Sequence, residues 1–106
     1  MLKISDLQYL CQDKSIAITK HANTRLKERG IELDDIKCAI KSGEIIRQYE
    51  NDSPFPSCLI LGLSKSGQHL HVVASTDGEF LYIITAYLPD KNEWETNLKS
   101  KRSIET

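Results

Sequence analysis

Cysteine is scarce and unpaired: Cys11, Cys38 and Cys58 are odd in number and widely spaced, which excludes a structural zinc site or a small disulfide framework built from close pairs. Buried or reduced thiols are expected instead. No stretch approaches the roughly 20 apolar residues of a membrane helix, and Met1-Leu-Lys-Ile-Ser-Asp6 has no long apolar run behind its lysine. The expectation is a cytoplasmic protein without membrane contact. Charge of one sign is also lacking. A net charge of -1 and a pI near 6.3 give no global attraction for nucleic acid, so any such binding must use a local patch. Repeats, low-complexity tracts, a glycine-rich phosphate loop and a serine nucleophile elbow are all missing.

What is present reads as one folded domain. The 106 residues suffice for one core but not comfortably for two, and 40% hydrophobic with 27% charged residues argues against disorder. A single domain over residues 1–106 is expected, with an N-terminal helix and link over 1–18, a core over 19–94 and a polar tail over 95–106. Ser5 followed by Gln8 suggests a capped first helix running to about Gln12, with Ser15-Ile-Ala-Ile18 as a link. Thr19 can cap a second helix that stops at Gly30, with Ala22 and Leu26 as its apolar stripe. Glu32 to Ser42 reads as a third helix burying Leu33, Ile36, Ala39 and Ile40, with Glu32, Asp34 and Asp35 in its first turn.

From Glu44 the period changes to that of strands. Ile45–Tyr49, Cys58–Leu63, His69–Ser75 and Phe80–Tyr87 are separated by short turn-rich segments. The expected fold is α+β, with the helices packed on one face of a four-stranded antiparallel meander. Trp94 is expected to dock the tail, and Lys99, Lys101 and Arg102 to form a frayed, solvated end.

The chemistry-bearing residues cluster in two places. His21, Arg25 and Arg29 recur every four residues, so they share one side of the second helix beside the stripe of Ala22 and Leu26. Guanidinium forks grip phosphate oxygens at two points and stabilise charge in a phosphoryl transition state. The competing structural role pairs Arg29 with Glu32 or Asp35 and lets His21 cap or pack. His69 and His71 share a strand face with Val73. His71, between apolar neighbours, is the better candidate acid or base, whereas His69 beside a hairpin loop suits an exposed position. Against catalysis stands a half-buried, hydrogen-bonded sheet histidine. Tyr87, closing the last strand, suits a phosphate contact or weak acid as well as packing. A zinc site from His21, His69 and His71 lacks any supporting pair, so no metal and no cofactor are expected.

These segments resemble a bacterial family, domain of unknown function 4258. The resemblance lies in His21-Ala-x-x-Arg25-x-x-x-Arg29-Gly30-Ile31, Asp35-Ile36 through Gly43-Glu44-Ile45-Ile46, Pro54 to Gly62, Leu70-His-Val-Val-Ala74 and Ile83-Ile-Thr-Ala-Tyr-Leu-Pro89. It covers Thr19 to about Trp94. Family members resemble RelE- and barnase-like toxin ribonucleases, in which helices precede an antiparallel sheet, and some are encoded beside antitoxins of the MqsA type with a zinc finger or helix-turn-helix. The resemblance maps His21, Arg25 and Arg29 onto the family's helical motif and His71 and Tyr87 onto its strand motifs; the chemistry of these residues makes His21, His71 and Tyr87 the catalytic candidates and Arg25 and Arg29 the expected holders of the RNA phosphate. RelE-type sheets carry several basic residues. Here Lys65 is the one lysine or arginine between Cys58 and Tyr87, which shifts the load to His71 and the arginines.

The leading expectation is therefore a metal-independent endoribonuclease, the toxin of a type II toxin-antitoxin pair, with RNA as substrate and an antitoxin as partner. The alternative is a non-catalytic module that binds protein or nucleic acid through the same rim. Convergence of His21, Arg25 and His71 on one cleft favours the first; separate surfaces favour the second.

Overall fold

A computed structural model describes residues 1–90 of the chain; the expectations for Trp94, Lys99, Lys101, Arg102 and the tail lie outside the described residues. The first helix, α1 (Ile4–Tyr9), starts before Ser5, because the Asp6 and Leu7 N–H groups donate to the Lys3 carbonyl, and it ends short of Gln12. A 3-10 turn (Asp13–Ser15) leads into β1 (Ile16–Ile18). Thr19 then caps α2 (Lys20–Glu28), its hydroxyl accepting the Ala22 N–H at 3.1 Å.

Gly30 closes α2 at φ +69. Its N–H reaches the Lys27 carbonyl and the Ile31 N–H the Leu26 carbonyl, a Schellman closure that glycine enters without steric cost. The chain turns directly into α3 (Leu33–Ser42), where the Asp35 carboxylate accepts the Glu32 N–H at 2.9 Å. Ile36, Ala39 and Ile40 are buried as their spacing requires, but Leu33, at the first helical position, is 38% exposed.

Four antiparallel strands follow: β2 (Glu44–Tyr49), β3 (Ser57–Leu63), β4 (His69–Thr76) and β5 (Leu81–Tyr87). The sheet nevertheless has five strands, in the order β1-β5-β4-β3-β2, because Ile16-Ala17-Ile18 pairs in parallel with Leu81-Tyr82-Ile83. This corrects the expectation of a four-stranded antiparallel sheet. Three residues are too few to show a strand period, and the segment becomes a strand through the open edge of β5.

All three helices contribute to the same core: Leu7 of α1, Leu26 of α2, and Ile36, Ala39 and Ile40 of α3 pack with Cys58, Ile60, Leu70, Val72, Ala74, Leu81, Ile83 and Ala86. Side chains alternate across a sheet, so Leu59, His71 and Val73 point to the opposite face. α3 lies close on β3 at Gly62, where an added Cβ would collide with the Ala39 carbonyl. Ile84 has no partner on β4, since Val73 faces Thr85 and Ala74 faces Ile83. This bulge leaves Ile84 45% exposed. No helix among the described residues is long and apolar enough to cross a membrane.

Candidate nucleic-acid interface on helix α2

The spacing of Ala22 and Leu26 seats α2 on the core and aligns His21, Arg25 and Arg29 along the flank that follows β5. Arg29 is committed to the fold. Its Nη1 donates to the Thr85 hydroxyl at 3.0 Å and to the Ala86 carbonyl at 2.9 Å. β1 pairs only with Leu81–Ile83, so the guanidinium serves the stretch of β5 that β1 does not reach. This differs from the ion pair with Glu32 or Asp35 that the sequence offered.

Arg25 and His21 are exposed, as are Lys20 and Lys27. The Lys20, Arg25 and Lys27 side chains make no ion pair among the described residues, whose salt bridge joins Lys37 to Asp13 at 2.6 Å. On α2, these cations face a single carboxylate, that of Glu28. His21 borders a groove of about 430 Å³ formed with Ala17, Ile18, Tyr82, Ile83 and Ile84. Tyr82 and Ile84 escape a sequence reading of this groove, because both lie in an ordinary strand pattern and the bulge that presents Ile84 is a matter of pairing.

His71 occupies the other face of the sheet and is fully buried. Its ring meets that of its cross-strand neighbour Tyr87 edge-on, with centroids 5.4 Å apart and planes at 80°. Tyr87 is half-buried and His69 exposed. A further cavity of about 460 Å³ includes Arg29, Glu32, Asp35, Lys65 and Gln68 but none of His21, Arg25, His71 or Tyr87. Its Asp35 carboxylate is engaged, accepting the Lys65 N–H at 3.1 Å besides that of Glu32. The groove at His21 contains neither arginine nor His71. Thus α2 gathers His21, Arg25 and Arg29 on one flank, while His71 and Tyr87 form a separate pair on the sheet.

No group of three or more His, Cys, Asp or Glu side chains able to hold a metal ion occurs among the described residues. The arrangement on α2 suits electrostatic capture of an extended polyanion: exposed cations on a helix whose apolar side, Ala22 and Leu26, is buried. A family model described as a domain of unknown function (DUF4258) matches residues 18–88. No curated protein and no solved structure matches the chain.

Proposed function

The chain belongs to the DUF4258 family, and we propose that it binds RNA through the exposed cations of α2. The observation that carries this reading is the set of Lys20, Arg25 and Lys27, exposed and without ion pairs among the described residues, on a chain whose net charge is -1. Cations concentrated on one helix, Lys20 and Lys27 along one side and Arg25 beside His21 on another, are the local positive charge a near-neutral protein needs to hold phosphates. His21 and its groove adjoin the same helix. Electrophoretic mobility shift of labelled single-stranded RNA tests the proposal. The double variant Lys20→Glu with Arg25→Glu is expected to lose binding, while Lys3→Glu, far along the chain, retains it. Affinity should fall with salt with a log–log slope of about -0.7 per phosphate contacted. Equal binding by the double variant refutes the assignment of α2.

A second reading, cleavage of that RNA by a type II toxin under the control of an antitoxin, is supported by the order of elements. Helices precede an antiparallel meander, as the resemblance to RelE-like toxins implies. In this reading the accessible histidine beside Arg25 is His21, and the buried His71 orders the sheet under Tyr87 instead of meeting substrate. Incubation with total RNA, with wild type against His21→Ala, distinguishes the readings. Cleavage that disappears in the variant supports a nuclease; intact RNA with the wild type leaves binding alone.

A further inference from the structure

The loop between β2 and β3 places Phe55 against Tyr82 of β5, with ring planes within 4° of parallel and centroids 6.3 Å apart. That separation is near the long end of the roughly 4.5–7 Å range of aromatic pairs, and both rings border one cavity of about 330 Å³. Ser53, Pro54, Ser75 and Ile84 complete most of its wall. Pockets for small molecules span roughly 300–1,000 Å³, so this one suits a single flat group. Tyr82 is held in place by its hydroxyl, which donates to Asp77 Oδ2 at 2.6 Å. Phe55 remains 40% exposed.

The cavity connects with the basic helix. Tyr82 and Ile84 border both this cavity and the groove at His21, so a chain lying across the Ile84 bulge meets aromatic rings on one side and α2 on the other. The lining also includes Asp52, whose Oδ2 accepts the Ser57 hydroxyl. A carboxylate in a stacking site offers an acceptor to an exocyclic amino group. Parallel aromatic surfaces and an amine acceptor, next to a groove that His21 of α2 borders, are the recognition chemistry of an unpaired base on a single strand.

We propose that the cavity between Phe55 and Tyr82 binds one unpaired, amino-bearing nucleobase of single-stranded RNA by stacking, an inference that rests on the RNA-binding reading of α2. Fluorescence anisotropy with a labelled adenylate hexanucleotide and an abasic ribose-phosphate oligomer of equal length tests it. Phe55→Leu keeps the apolar bulk of this exposed position and removes the ring. It is expected to weaken hexanucleotide binding about tenfold and to leave the abasic oligomer unaffected, whereas Phe55→Tyr binds both as wild type does. If Phe55→Leu leaves hexanucleotide binding unchanged, or weakens both probes alike, the base site is overturned. Loss of binding in Lys20→Glu with Arg25→Glu would then still uphold the α2 reading. No binding of either probe by the wild type overturns both.

Discussion

Asp77 holds the turn before β5 through three donors: the Glu79 and Phe80 N–H groups reach its Oδ1 at 2.9 Å, and the Tyr82 hydroxyl its Oδ2 at 2.6 Å. Hydrogen bonds to the ionised form, that of Tyr82 foremost, lower its pKa from 3.8 to about 2. A folded pKa below the unfolded one adds stability above the unfolded value and loses it as pH falls through the folded value. Asp77→Asn is therefore expected to melt below wild type at neutral pH. The gap in melting midpoint should close between about pH 4 and pH 2. A gap that persists at low pH would show that the carboxylate charge is not what stabilises the turn. His71 illustrates what pattern can and cannot say at a single position. Alternation with Leu70 and Val72 assigned its face, but the degree of burial depended on what surrounds that face, and it is complete instead of partial.

Helix boundaries proved legible where local chemistry sets them. Thr19 caps α2 and Gly30 ends it because a hydroxyl acceptor and a positive φ act within one turn of the chain. The strands β2 to β5 likewise begin within a residue of their expected starts. β1 was not legible, since its pairing depends on Leu81–Ile83, more than sixty residues away. Nor was the commitment of Arg29 to Thr85 and Ala86, a contact between positions 56 and 57 residues apart. Gly62 is another long-range requirement, with α3 so close at Ala39 that a methyl group would collide with backbone that cannot rotate away. Overpacked cores lose roughly 1–3 kcal/mol. Gly62→Ala is expected at the upper end of that range by urea unfolding, and a change below about 0.5 kcal/mol would contradict the close packing of α3 on β3.

The core as a unit shields two thiols. Cys11 and Cys58 are buried and Cys38 is exposed; burial raises the Cys11 thiol above its ordinary value and pushes Cys58 up to about 12. Because the thiolate is the reactive form, a chromogenic thiol reagent at mild alkaline pH is expected to label Cys38 rapidly. Cys58 should react only at the rate of global unfolding, and burst labelling of Cys58 would contradict a closed core. The balance between code and context follows from the range of the forces. Sequence was enough for the α+β class, the meander and the alignment of His21, Arg25 and Arg29, because caps, turns and periodicity act between neighbours in the chain. The fifth strand, the parting of His71 from the arginines and the meeting of Phe55 with Tyr82 came from folding itself, because strand pairing and burial join residues whose separation along the chain carries no local signal.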